Sequence, residues 1–112
     1  LRQMLQAAQH ARDLCAGKSL HELVNDWQAR LAFERAMEIL SDAVKRLPLD
    51  LRSKYPAVNW RGAAGMGDFL SHAYDTIDYE ILWNSVQDKV PELIVTVERM
   101  IFDLKKSTNQ RA

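Results

Sequence analysis

Asp68, His72 and Tyr74 place a carboxylate, an imidazole and a phenol within seven residues, in the stretch Gly65-Met66-Gly67-Asp68-Phe69-Leu70-Ser71-His72-Ala73-Tyr74. On a helix Asp68 precedes His72 by one turn and shares its face. There a carboxylate can orient an imidazole for general acid or base work near neutral pH. Tyr74 projects from another side of the same helix. The spacing alone also fits a boundary histidine beside an acid, and a boundary tyrosine that packs its ring and bonds its hydroxyl. His10 and His21 fit surface helix positions.

The segments that must position these groups read as helices throughout. Leu1, Met4, Leu5, Ala8, Ala11, Leu14 and Cys15 recur at three-and-four spacing and predict a first helix over Leu1 to Cys15, which Gly17 is placed to end. Ser19-Leu20-His21-Glu22 has the form of a capping box opening a short helix that stops near Asp26. From Trp27 to Leu47 the pattern is apolar around much of the circumference. Phe33, Ala36, Met37, Leu40, Val44 and Leu47 make one stripe, widened by Ala32, Ile39 and Ala43. A helix of that breadth is either central to a bundle or shared with a partner chain. Pro48 ends it, and a helical turn over Leu51 to Lys54 precedes Pro56, whose neighbour Tyr55 should be extended. The helix carrying Asp68 and His72 is expected over Trp60 to Tyr74. Asp78 can cap the last one, in which Leu82, Val86, Val90, Leu93, Val97, Ile101 and Leu104 recur. Pro91 interrupts that pattern and predicts a kink or break near Lys89. Ser107 to Ala112 is polar and should fray. With no strand signal, the expected fold is all-α: one domain, an up-and-down bundle of four main helices with short extra turns.

Composition bounds the chemistry. The 112 residues suffice for one domain, and 47% apolar content builds one core of marginal size, which oligomerisation would support. Fifteen basic and fifteen acidic residues cancel, so nucleic acid could be held only by a local patch. Arg46, Arg52, Lys54 and Arg61 could supply one, or could be solvated helix ends. Cys15 is the sole cysteine and no Cys/His spacing matches a zinc site, so a metal-free protein of a reducing cytoplasm is expected. No apolar run approaches a membrane span and no signal-peptide pattern opens the chain. Because the sequence starts at Leu1 rather than Met, further residues are expected ahead of it.

Arg35-Ala36-Met37-Glu38-Ile39-Leu40-Ser41-Asp42-Ala43 is similar to an Arg-x-Leu-Glu-Ile-Ile-Gly-Glu-Ala helix, and Tyr55-Pro56-Ala57-Val58-Asn59-Trp60-Arg61 to a Pro-x-Ile-Pro-Trp-Arg turn. Gly65-Met66, His72-Ala73-Tyr74, Ile77-Asp78-Tyr79-Glu80-Ile81-Leu82-Trp83 and Val90-Pro91-Glu92-Leu93 follow in order. Together, from Trp27 to Val97, they resemble the HepT-like branch of the HEPN superfamily, small helical ribonuclease toxins of bacteria and archaea. The resemblance implies metal-independent RNA cleavage without a cofactor, in which a ribose 2′-hydroxyl attacks the adjacent phosphate to leave a cyclic phosphate and a 5′-hydroxyl. His72 would serve the proton transfers. It further implies a homodimer whose two motif helices build a composite site. It also implies a nucleotidyltransferase antitoxin of the MntA type that uses ATP to adenylylate Tyr74. Trp60 and Trp83 fit core anchors better than base-stacking platforms.

One position departs from that pattern. The motif reads Arg, four residues, His, one residue, Tyr, and five places before His72 stands Gly67. Asp68 matches the polar residue after the Arg, so the count is in register, and Arg61 lies too far back to substitute. The cation expected to hold the phosphate as charge develops is therefore absent, once in each chain of a dimer. Gly67 is also a poor helix former, costing about 1 kcal/mol relative to Ala. Gly62 and Gly65 have a ready explanation in close helix contact; for Gly67 none is expected, and Gly67→Arg should fold. The alternative from another class is a binding module: a catalytically inactive helical dimer that holds and regulates a nucleotidyltransferase.

Overall fold

The structure is a computed structural model that describes residues 1–72 and 79–111, with side chains given for all of these except 68–72 and 108–111. The described residues form seven helices and no strand: α1 (Arg2–Cys15), α2 (Leu20–Asn25), α3 (Trp27–Lys45), α4 (Leu49–Ser53), α5 (Trp60–His72), α6 (Tyr79–Asp88) and α7 (Val90–Arg111). The bundle measures 51 × 28 × 20 Å. Tyr74 and Asp78 lie outside the described residues, as does the expected extension of the motif helix beyond His72.

Helix boundaries follow local chemistry. Gly17 adopts φ 71 just after α1, a conformation that costs glycine nothing sterically. Ser19 and Glu22 form the expected capping box at the start of α2. The Asp26 carboxylate then accepts the Ala29 N–H at 3.2 Å, so α3 begins at Trp27 without a linker. Asn59 does the same for α5, its Oδ1 accepting the Gly62 N–H at 3.0 Å. The break expected at Lys89 is present: α6 ends at Asp88 and α7 starts at Val90. Pro91, with no N–H and a ring that would meet the carbonyl four residues back, sits in the first turn of α7, where helices tolerate it. Helical backbone continues through the polar tail to Arg111.

Much of the apolar surface of α3 is answered within the chain, although Trp27 and Leu31 stay exposed. α3 packs most extensively on α1 and α5, and also on α2, while α7 closes the other side of α1. Ala29, Phe33, Ala36, Met37, Leu40 and Val44 are buried. α3 is thus central to the bundle, and Ala32, expected to widen the stripe, is exposed. In α6 and α7 the buried positions are Leu82, Val86, Val90, Leu93, Ile94, Val97 and Met100. Leu104 is 46% exposed. At 1.5 Å per residue α7 is about 33 Å long against about 21 Å for α1, so its last turns outrun the helix it packs on. Trp60 is an anchor as expected: it is buried, and its Nε1–H donates to the Tyr55 carbonyl at 2.9 Å.

Candidate active site

α5 carries the motif positions, and one buried polar side chain joins it to the rest of the molecule. Ser41, on the face of α3 that meets α5, is 1% exposed. Its hydroxyl donates to the Ala64 carbonyl at 2.7 Å and accepts the Gly67 N–H at 2.8 Å. A buried hydroxyl with both roles filled fixes the rotation and register of the two helices. Sequence reasoning missed Ser41, because a serine in an apolar stripe looks like a neutral interruption.

This contact also overturns the expectation for Gly67. A Cβ at position 67 would lie 2.7 Å from Ser41 Oγ and 3.1 Å from Ser41 Cβ, closer than side chains tolerate. Gly67 is therefore the close-packing glycine of α5. The assignment of that role to Gly65 is corrected as well, since a Cβ there would meet nothing within 4 Å. At Gly62 the crowding comes from the Asn59 cap of the same helix, whose Nδ2 would be 2.8 Å away. It follows that Gly67→Arg alone does not fit without displacement of Ser41, contrary to the sequence-based expectation.

Beside Gly67 a groove of about 290 Å³ opens between α1, α3 and α5, lined by Gln3, Arg35, Glu38, Ser41, Asp42 and Lys45 among others. Its carboxylates are paired along α3: Arg35 Nη1 lies 3.4 Å from Glu38 and Arg46 Nη2 lies 3.3 Å from Asp42. The Lys45 ammonium lies 3.9 Å from where a Cβ at position 67 would be. His72 ends α5, five residues and about 7.5 Å of helix rise beyond Gly67. The side chains of Asp68 and His72, and the whole of Tyr74, lie outside the described residues.

The basic residues separate into different roles. Arg52 turns its guanidinium onto the C-terminus of α3, donating from Nη2 to the Val44 carbonyl at 2.5 Å and from Nε to the Leu47 carbonyl at 3.2 Å. The Val44 carbonyl also accepts the Leu47 N–H at 3.0 Å, and Arg52 adds a side-chain cap at this helix end. Arg46 is held by Asp42 and by Gln3, whose Oε1 accepts at 3.0 Å. Lys54 and Arg61 are exposed, at the end of α4 and the start of α5.

Three titrating groups are displaced elsewhere. Burial, and then a hydrogen bond donated to Glu34, push the Tyr79 phenol up to about 12. Donation to Asp103 at 2.7 Å raises Tyr55, reinforced by burial. Burial pushes the Cys15 thiol up to about 11 and so favours its protonated form, an effect partly opposed by Lys18. Among the described residues no group of three or more His, Cys, Asp or Glu could hold a metal ion, and no helix is long and apolar enough to cross a membrane.

Comparison with known proteins gives these features a lineage. The chain is 39% identical over 93 residues to "Putative RNase MJ0127" of Methanocaldococcus jannaschii, covering 83% of this chain and 77% of that one. It is 35% identical over 101 residues to "Putative RNase TTE0752" of Caldanaerobacter subterraneus subsp. tengcongensis, covering 90% of each. It is 33% identical over 89 residues to "Probable ribonuclease HepT" of Thermococcus cleftensis, covering 80% of this chain and 77% of that one. No solved structure matches significantly. The family model described as "Ribonuclease HepT-like" matches residues 4–100, all of the bundle from α1 into α7, and the chain therefore belongs to the ribonuclease HepT-like family.

Proposed function

We propose that this chain is the toxin of a two-gene toxin-antitoxin system, an endoribonuclease that works without metal and is attenuated by Gly67. The observation that carries this reading is family membership over residues 4–100, with His72 on the same helix as Gly67. His72 takes the proton from a ribose 2′-hydroxyl as it attacks the neighbouring phosphate, or protonates the departing 5′-oxygen. The P–O5′ bond breaks, leaving a cyclic phosphate and a 5′-hydroxyl. Asp68, one turn earlier, orients the imidazole. In a homodimer two such helices face each other and the site is shared. The cytoplasmic partner is a nucleotidyltransferase of the MntA type. The Tyr74 hydroxyl attacks the α-phosphate of ATP, loses its proton and releases pyrophosphate, and the resulting AMP ester blocks RNA by bulk and charge.

The dimer rests on the family resemblance; within one chain α3 buries its stripe from Phe33 to Val44 but leaves Trp27 and Leu31 exposed. The Ser41–Gly67 contact favours a second reading. A helix interface rebuilt around glycine fits a chain that no longer needs the arginine, acting as an inactive dimer that regulates the nucleotidyltransferase. Cleavage of a mixed RNA in EDTA separates the two. Slow cleavage that His72→Ala abolishes is expected; complete inertness at high enzyme concentration would favour the regulator.

A further inference from the structure

A second groove, of about 700 Å³, runs between α1 and α7. Half-buried Leu5 and Ile101 give it an apolar lining, and Arg2, Gln6, Phe102 and Lys105 stand exposed along it. Phe102 is 64% exposed, an open aromatic ring on a helix whose neighbouring positions Val97 and Met100 are fully buried. Glu98, Phe102 and Lys105 follow at spacings of four and three, so they share one face of α7, as Arg2 and Gln6 share one of α1. Among the described residues, neither Arg2 nor Lys105 has a salt-bridge or hydrogen-bond partner for its side chain. Gln3 lines both this groove and the one beside Gly67. Its Oε1 accepts from Arg46 at 3.0 Å, which leaves its amide N–H groups as donors.

We infer that the α1–α7 groove is a subsite for single-stranded RNA, in which Phe102 stacks on a base while Arg2 and Lys105 neutralise neighbouring phosphates. An exposed ring offers a π-face that every base can use, and cations on two helices match a polyanionic strand. The amides of Gln6 and Gln9 and the carboxylate of Glu98 supply donors and acceptors for base edges. Gln3 makes the two grooves continuous, so a strand held at Phe102 is led to α5, the helix of His72. Arg2, Phe102 and Lys105 lie outside the residues 4–100 that match the family, so the subsite is an addition to the family's framework. It also bears on Gly67. Binding energy gained on a remote part of the substrate helps to hold the strand at a centre that lacks its arginine.

The subsite rests on the ribonuclease reading for the identity of its ligand, and a test in two arms keeps the two failures apart. In the first, affinity for a 2′-O-methyl RNA of about twelve nucleotides, which cannot be cleaved, is measured against salt concentration. The proteins are wild type, Phe102→Ala, Phe102→Trp, Lys105→Gln and a control at the far end of α1, Arg12→Gln. Phe102 and Lys105 are exposed, so their variants should melt as wild type does. Phe102→Ala should weaken binding about tenfold with the salt slope unchanged, because stacking is lost and no charge is removed, whereas Phe102→Trp should retain affinity. Lys105→Gln should reduce the slope of log K against log salt by about 0.7, and Arg12→Gln should leave it unchanged. In the second arm, cleavage in EDTA is compared for wild type, Phe102→Ala and His72→Ala on RNA of the same length and on a dinucleotide that fills only the groove beside Gly67. Phe102→Ala should slow the longer substrate about tenfold below saturation and leave the dinucleotide unchanged. If cleavage depends on His72 while Phe102→Ala and Lys105→Gln change neither affinity nor slope, the subsite is overturned and the ribonuclease reading stands. If binding depends on Phe102 and Lys105 but no His72-dependent cleavage occurs, the ribonuclease reading fails and the subsite stands. Variants that bind RNA as wild type does but no longer bind the nucleotidyltransferase would give the groove to a protein partner and overturn the inference.

Discussion

Ser41 and Gly67 are locked together from opposite helices: the serine hydroxyl accepts the glycine N–H at 2.8 Å in a space that any side chain at position 67 would fill. The same hydroxyl donates to Ala64 at 2.7 Å, so a single oxygen ties two points of α5 to α3. Position 67 thus belongs to the helix interface and to the edge of the groove at once.

Ser41→Ala should therefore be destabilising although it removes one oxygen atom. It strips a fully satisfied buried hydroxyl from two backbone groups, at a cost of about 1–2 kcal/mol, or roughly 4–8 °C in Tm per kcal/mol for a domain near this size. Chemical and thermal denaturation of the variant check this. A melting curve superimposable on that of wild type would mean that helix packing alone sets the register of α5.

Arg52 and Arg61 should respond oppositely to neutralisation. Arg52→Ala removes the side chain that covers the Val44 and Leu47 carbonyls and should lower stability by about 1 kcal/mol, with little change in the salt dependence of RNA binding. Arg61→Ala or Lys54→Ala, both exposed, should leave the melt unchanged, and any effect should appear as weaker RNA binding. Denaturation and a salt titration on the same proteins distinguish the classes. An Arg52 variant of native stability but shallower salt slope would return it to the RNA surface.

Most helix positions were legible in the sequence because their signals are local. Gly17, the Ser19–Glu22 box, Pro48 and Pro91 each act within one turn, and the break at Lys89 follows from a missing N–H. Legibility failed where two distant segments meet. The crowding at Gly67 depends on Ser41, 26 residues earlier, and no periodicity along either helix reveals it. The same holds for Arg52, which reads as a surface charge until the end of α3 is seen folded back onto it.

Alkaline pH should erode stability through groups whose protonated forms the fold favours. Tyr79 rises from 10.0 to about 12, and Cys15 from 9.0 to about 11. A raised folded pKa means that stabilisation is complete below the unfolded value and is lost as pH climbs toward the folded one. The loss should begin near pH 9 with Cys15 and continue from 10 to 12 with Tyr79. Urea midpoints across this range should fall, and Tyr79→Phe should flatten the part above about pH 10. A midpoint that stays level to about pH 11 would contradict the burial of both groups.

The modification proposed for Tyr74 makes a mass-resolved prediction. Incubation with the nucleotidyltransferase and ATP should add AMP-sized increments, each carrying about one negative charge, that vanish in Tyr74→Phe. Intact-mass spectrometry reads this directly, and increments surviving the substitution would place the acceptor elsewhere.

The Ser41–Gly67 contact predicts a coupled pair. Gly67→Arg alone should be destabilised by about 1–3 kcal/mol through overpacking against Ser41, offset in part by roughly 1 kcal/mol of improved helix propensity. Rotating the hydroxyl away would not relieve it, because Ser41 Cβ remains 3.1 Å from the new Cβ and the hydrogen bonds to Ala64 and Gly67 would break. Ser41→Gly clears that volume, so the double variant should recover stability beyond the sum of the single changes, with a coupling of about 0.5–3 kcal/mol. With the guanidinium admitted, RNA cleavage in EDTA should rise about a hundred- to a thousandfold over wild type, the usual worth of a preorganised donor to a developing oxyanion, and His72→Ala should abolish it. Additive stabilities would show that Ser41 does not restrict position 67. A double variant that folds and dimerises yet cleaves nothing would transfer the protein to the regulator reading, since the arginine would then have a place but no reaction to serve.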